Sequence, residues 1–293
     1  MTQHDNTTLA TEPPVWLITG CSTGFGRAIA RLAIERGFRT VATARDTASL
    51  QDFAAAENAL LLELDVTKPE QVAAAIRAAE ARFGGVDVLV NNAGIGYFGA
   101  VEESEEAEVR KMFEVNFFGT SRMIHAVLPG MRARRRGVVV NVSSIAGLRP
   151  FPAVGYYNAS KFAVEGLSGA LRLEVEPLGI KVIVVEPSDF RTDWAGRSAN
   201  ETRQPLADYV ATAGLVRTQL RAISGHQAGD PVRAAQAILT AVASDSPPHH
   251  LLLGNAAFEG AMAQLEQLRK DFSAGEAVAR AADFPKPKLG LVA

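Results

Sequence analysis

Tyr157 and Lys161 stand four residues apart, the spacing that puts two side chains on one face of a helix, one turn from each other. A phenol beside an ammonium points to acid–base chemistry. A free tyrosine titrates near ~10, too high for ready proton exchange at neutral pH, and a neighbouring cation favours the phenolate and lowers that value. Tyr156 has the uncharged Ser160 at its own fourth position, so Tyr157 is the expected acid–base group. A second chemical signal is Thr19-Gly20-Cys21-Ser22-Thr23-Gly24-Phe25-Gly26, which follows an apolar run and opens into a helical pattern. Glycines there allow a tight turn and bring backbone N–H groups close to a pyrophosphate, while the helix N-terminus adds a positive dipole end. Many strand–helix junctions carry glycine for steric reasons alone. The strand before and the helix after favour a dinucleotide site.

Other chemistries find less support. A serine hydrolase needs a histidine base and a nucleophile elbow; His4, His125, His226, His249 and His250 are present, but the only G-x-S-x-G match, Gly20 to Gly24, is the glycine turn itself. His249-His250 open an apolar run with no third ligand in view, so they read as strand-edge residues and no metal is expected. Cys21 is the single cysteine, which rules out an intrachain disulfide and a cysteine metal site. Lys and Arg number 30 against 32 acids, a formal net charge of -2, so neither nucleic acid nor an anionic membrane is the expected partner. Arg132, Arg134, Arg135 and Arg136 read as a solvated helix C-terminus, where cations suit the dipole. No run approaches the ~18 apolar residues of a membrane helix, and Met1 to Pro14 lack a secretory layout. A reducing cytoplasm is the expected compartment.

These groups need a scaffold. Apolar runs at Val15–Thr19, Thr40–Thr43, Leu60–Leu64, Val86–Val90, Gly137–Val142, Lys181–Val185 and His250–Leu253 mostly lack period-two alternation, as strands buried on both faces do. Helical spacing fills the gaps: Arg27–Arg36, Pro69–Phe83 with a proline suited to its first turn, and Tyr157–Leu178. The expected fold is α/β, a single doubly wound parallel sheet of seven strands with helices on both faces and ligands at the carboxyl edge. One domain is expected over residues 1–293: a nucleotide-binding and catalytic core at about 15–187, a substrate flap at about 188–229 and a C-terminal extension at about 254–293. Residues Ser188–Gly229 lose periodicity and suit a mobile flap. The extension reads as one amphipathic helix from about Ala257 to Lys270, then a Pro- and Lys-containing tail.

The Thr-Gly-x-x-x-Gly-x-Gly spacing, with Asp65-Val66, Asn91-Asn92-Ala93-Gly94, Asn116, Ser143-Ser144 and Tyr157-x-x-x-Lys161 following in order, resembles the short-chain dehydrogenase/reductase family over roughly Val15 to Asp193. The resemblance implies a Rossmann-type fold and an oxidoreductase that moves a hydride between nicotinamide and a carbonyl or secondary alcohol carbon. It implies that Ser144, thirteen positions before Tyr157, orients the substrate oxygen. Lys161 would bind the nicotinamide ribose, and Asn116 would hold a water linking Lys161 to solvent. It places cofactor contacts at Gly20, Ser22, Thr23, Gly24, Phe25, Gly26, Asp65, Val66, Asn92, Ala93, Gly94, Tyr157, Lys161, Pro187 and Thr192. It also implies homodimers or homotetramers built on the helices of Asn116 and Tyr157. Where the family carries an NAD-selecting acid at the end of the second strand, this chain has Ala44 and then Arg45. An arginine can grip a 2′-phosphate through bidentate, charge-assisted bonds. NADP(H) is therefore expected ahead of NAD(H), with Arg27 as a possible helper and an Arg45–Asp46 pair as the bland alternative.

The family's Pro-Gly after the sixth strand reads Pro187-Ser188 here; if that position needs a positive φ, serine would strain it. Tyr97, Leu148, Phe151, Phe190 and Trp194 are the expected substrate lining beside Ser144, which suits a small hydrophobic ketone, aldehyde or secondary alcohol. A non-catalytic NADP-binding regulator is the alternative, disfavoured because the Tyr/Lys pair is present.

Overall fold

Apolar runs become strands here because both of their faces have helices to pack against. The computed structural model describes residues 12–284; residues 1–11, His4 among them, and those beyond Phe284 lie outside them. Seven strands form one parallel sheet: β1 (Val15–Ile18), β2 (Arg39–Ala44), β3 (Ala59–Glu63), β4 (Val88–Asn91), β6 (Gly137–Val142), β7 (Ile180–Pro187) and β9 (His250–Leu253). Their spatial order is β3-β2-β1-β4-β6-β7-β9. The order reverses direction beside β1, between it and β4, and a crevice for ligands opens at such a switch point.

Successive residues of one strand serve opposite cores. Trp16 and Ile18 pack with α1 (Gly24–Glu35) and α7 (Pro231–Ala243). Val15 and Leu17 face α2 (Pro69–Phe83), α4 (Thr120–Arg134) and α5 (Gly155–Val175). Strand ends differ from expectation by one or two residues, as ends do.

Two features escape period counting. The short strands β5 (Gly96–Phe98) and β8 (Ala199–Glu201) form a second, two-stranded parallel sheet. It pins the expected flap to the loop after β4, so residues 188–229 are not irregular: they hold β8, helical turns over Ala207–Gly214 and α6 (Leu215–Ala222). Three-residue strands are too short to show a period. The C-terminal helix α8 runs Asn255–Ala274 and is followed by α9 (Glu276–Ala281), longer than the apolar pattern indicated. Its apolar contacts on Ile145 are few, and polar residues extend it. Of the basic run at the end of α4, Arg132, Arg135 and Arg136 are exposed as expected, while the half-buried Arg134 donates to Val86 O (2.7 Å) and Arg136 lies 3.6 Å from Asp87.

Candidate active site

The glycine turn and the loop after β4 meet backbone to backbone. Gly20 (φ +72°) and Gly24 (φ +59°) occupy the left-handed region. A Cβ on Gly20 would stand 3.0 Å from Ala93 Cα, and one on Gly26 would run into the Asn92 amide and the Gly20 carbonyl. Asn92 Nδ2 donates to Thr19 O (2.9 Å) and Gly20 O (3.1 Å). Thr19 Oγ1 in turn accepts from the N–H groups of Asn92 (2.9 Å) and Ala93 (3.0 Å). Asn92 thus braces the turn with its side chain. Thr19, absent from the expected site residues, is the other half of the brace.

Helix α1 starts at Gly24, three residues before the apolar period, because the turn itself supplies its first residues. Its N-cap Thr23 makes no side-chain cap bond and its first turn holds no acid, so first-turn N–H groups around Phe25 and Gly26 are open to an anion. Gly26→Ala is expected to weaken NADPH binding at least about tenfold in a fluorescence titration, since the new methyl displaces the brace. Affinity within twofold of wild type would count against the turn as a phosphate cradle.

At the end of β2, Arg45 is exposed and makes no ion pair among the described residues. Asp46 does not pair with it; its carboxylate caps the next turn, accepting from Ala48 N (2.9 Å). Arg27 is engaged elsewhere, with Asp52 (2.8 Å) and the Ser49 carbonyl (2.7 Å). Asp65 Oδ1 accepts from both the N–H (2.9 Å) and the hydroxyl (2.8 Å) of Thr67. Val66 is buried against the space left by Gly119.

Tyr157 and Lys161 share one face of α5 and both are buried. Lys161 Nζ donates to Val142 O (2.9 Å) and lies 5.6 Å from the centre of the Tyr157 ring. Ser144 caps the turn Ile145–Gly147, accepting from Ala146 N (3.1 Å), and its hydroxyl favours ionisation of the Tyr157 phenol. A Cβ on Gly94 would sit 3.4 Å from Asn116 Oδ1 and 3.8 Å from Lys161 Nζ, so the loop after β4 passes between these two groups. Asn116 is buried in a π-helical segment, Glu114–Gly119, the kind of bulge that often marks function. Its amide clamps Ile95, accepting from Ile95 N and donating to Ile95 O (both 2.9 Å), and donates to Ser160 Oγ (3.2 Å).

The acidification expected of Tyr157 is not what the structure shows. Burial pushes the phenol above its ordinary value, the Ser144 hydroxyl pulls it partly back, and Asp189 pushes it up further. Lys161 meanwhile is lowered to about 8 by burial, with Glu165 opposing the change. Desolvation is the largest influence on both groups, and it outweighs the attraction expected across one helical turn.

The segment after β7 closes the site. Ser188 lies outside the left-handed region, where Arg135 and Ala153 are the only non-glycine residues among those described. The strain considered for serine is therefore absent. Ser188 N donates to Leu253 O (3.0 Å), and its hydroxyl fills the space over Gly254 (φ +93°). Pro187 ends β7, and Thr192 sits on the glycine turn, 3.4 Å from where a Gly24 Cβ would be.

The aromatic lining divides. Trp194 covers Tyr157 (ring centres 4.8 Å apart), and Phe151 and the buried Tyr97 belong to the same apolar cluster. The Tyr97 hydroxyl donates to Glu105. Phe190 instead packs edge-on against Phe25 (4.9 Å) and borders a cavity of about 620 Å³ that Tyr157 and Ser144 do not line. Leu148 packs beneath α8.

Sequence reading also missed a cluster around His250. Its Nδ1 lies 2.5 Å from Oε1 of Glu186, a fully buried carboxyl on β7. Burial raises Glu186 to about 8. A carboxyl raised in this way stabilises the fold fully below its unfolded value near 4.5 and loses that contribution as pH rises through about 8. Thermal melts are therefore expected to show wild type losing a few degrees of Tm from mildly acid to alkaline pH relative to Glu186→Gln, of the order of 2–4 °C. Parallel curves would contradict this.

The pattern of the short chain dehydrogenase family matches residues 14–203. The chain is 39% identical over 247 residues to a 3-ketodihydrosphingosine reductase of Bacteroides thetaiotaomicron, covering 83% of this chain and 88% of that one. A short-chain dehydrogenase structure from Streptomyces avermitilis superposes with a TM-score of 0.88 at 40% identity, over 94% of this chain and all (100%) of the other. Two further solved neighbours hold nicotinamide nucleotides. One is a short-chain dehydrogenase/reductase from Burkholderia phymatum with NAD (TM-score 0.78, 27% identity, 89% and 95% covered). The other is ElxO with NADP (TM-score 0.70, 28% identity, 84% and 99% covered). With the switch-point crevice, the braced glycine turn and the buried Tyr157–Lys161 face all at one sheet edge, the chain belongs to the short-chain dehydrogenase/reductase family of nicotinamide-dependent oxidoreductases.

Proposed function

We propose that the protein is an NADP(H)-dependent reductase of hydrophobic ketones or aldehydes, able to run in reverse on the matching secondary alcohols. The observation that carries this reading is the grouping of Tyr157, Ser144, Lys161 and Asn116 beside the glycine turn. The cradle fits a dinucleotide: Gly20 and Gly26 allow a close backbone approach that a Cβ would block, Gly24 holds a positive φ, and uncapped N–H groups face it. Arg45, exposed and unpaired among the described residues, supports a 2′-phosphate as the choosing feature. When bound, the nicotinamide supplies or accepts the hydride at the substrate carbon.

The remaining steps belong to this chain. Ser144 holds the carbonyl oxygen, and Tyr157 delivers the proton to it. Because burial keeps the phenol protonated at neutral pH, the resting site holds the acid form that reduction requires. Asn116 holds Ile95 and the loop in place, and Lys161 carries the charge that draws the proton back. Trp194, Phe151 and Tyr97 around Tyr157 support an apolar substrate, and the Bacteroides relative is named for reducing 3-ketodihydrosphingosine, a ketone. Among the described residues no helix is long and apolar enough to cross a membrane. Phe118 and Phe162, exposed beside Asn116 and on α5, support a dimer through those helices. Nothing observed favours the non-catalytic reading, since the tyrosine and lysine are both in place. NADPH with a panel of hydrophobic ketones should lose its reduced-nicotinamide absorbance; silence with every ketone would defeat the proposal.

A further inference from the structure

A second group of ionisable side chains lies behind the Tyr157–Lys161 pair, and the chemistry above does not use it. Glu165 stands one helical turn beyond Lys161 on α5. Its side chain is only 11% exposed, and neither carboxylate oxygen has a hydrogen-bond partner among the described residues by geometry. It lies against Gly147, next to the hydroxyl of Ser143, the residue before Ser144. From β7, Glu186 brings a second buried carboxylate, whose Oε2 is likewise unpartnered. From β9, His250 places Nδ1 3.9 Å from Glu165 Oε2, while its ring is half exposed. Charged and titratable groups facing Glu165 are thus Lys161, Glu186 and His250. His249 stacks on His250 (4.6 Å between ring centres), and Arg172 and Glu176 act on His249 from α5 and the turn after it.

Two carboxylates this close in a buried place need cations or protons beside them. Lys161 lies one helical turn from Glu165, which favours its charged form against burial. The charge on Glu165 is itself marginal. Burial raises it to about 7, Ser143, His250 and Lys161 favour ionisation, and Glu186 opposes it.

We propose that Glu165 is a positioning residue that acts through Lys161: its carboxylate, coupled to Glu186 and the solvent-facing His250, keeps the lysine charged behind Tyr157. This rests on the reductase reading above. It assigns the basic limb of the pH profile to the Lys161–Glu165 pair, whereas the tyrosine supplies the proton.

The test compares wild type, Glu165→Gln, Glu165→Asp and His250→Ala from mildly acid to alkaline pH, with two readouts: kcat/KM for a ketone, and NADPH affinity by fluorescence. In Glu165→Gln the alkaline midpoint of both curves is expected to fall by about one pH unit, a tenfold loss on the alkaline side. Glu165→Asp should restore most of the midpoint, and His250→Ala should move it the same way by less. A merely structural role lowers the curves at every pH and leaves the midpoint in place, and that result overturns the proposal. If Glu165→Gln does not fold, an unmoved midpoint in His250→Ala overturns it equally. A Tm rise on adding Zn2+ that is present in wild type and lost in His250→Ala would mark the carboxylates as a metal site instead, and also overturns it. Failure of the reductase reading looks different: wild type would turn over no ketone, while the NADPH affinity curves would still carry the displaced midpoint.

Discussion

Tyr157→Phe is expected to lower kcat for ketone reduction by about 10³-fold or more, with NADPH affinity close to that of wild type. The change removes one oxygen and leaves the ring that packs under Trp194 at 4.8 Å, so the fold and the nucleotide cradle have no reason to change. What disappears is the proton donor next to Ser144. The raised phenol also sets a direction for pH. A group raised above its ordinary value stays protonated throughout the neutral range, so reduction should be flat there. Oxidation of an alcohol needs the phenolate, so it should climb steadily toward alkaline pH. Parallel pH profiles for the two directions, or Tyr157→Phe turning over as wild type does, would remove Tyr157 from the chemistry. Stopped-flow absorbance of the reduced nicotinamide in both directions measures all of this.

Arg45→Ala is expected to raise the Kd for NADPH by about 10- to 100-fold and to leave NADH nearly untouched, the size of one lost charge-assisted bond. The structure makes the arginine a clean test. It is exposed at the end of β2 and unpaired among the described residues, and Asp46 is committed to capping. No internal ion pair is broken by the change, so the effect reads out nucleotide contact alone. Ala44→Asp should add repulsion of the 2′-phosphate and tilt the preference toward NADH. Equal losses for both nucleotides in a calorimetric titration would show that Arg45 does not choose between them.

Local spacing made a large part of this protein legible. A four-residue interval on a helix is geometry, so Tyr157 and Lys161 share a face whatever surrounds them. The glycines of the first turn carried their meaning too. The structure adds why Gly20 and Gly26 exclude a side chain, in the close approach of Asn92 and Ala93, while Gly24 is held by its positive φ. The seven main strands were visible as apolar runs because helices bury both of their faces, which suppresses alternation. β5 and β8 were not visible, since three residues cannot display a period and their pairing joins segments far apart in the chain.

The chemical type of the site was thus written in short-range sequence, while the protonation of its groups was decided by tertiary structure. Burial sums contributions from segments remote in sequence, and it reversed the expected effect on Tyr157. Ser188 looked strained beside the family's glycine. Its fit depends on Leu253 and Gly254, the former 65 residues away. Glu186 and His250, 64 residues apart, are unremarkable as letters and become a coupled pair only when β7 and β9 align in parallel. Spacing along a chain fixes which groups can meet within one element, and desolvation, which sets their charge, is a property of everything packed around them.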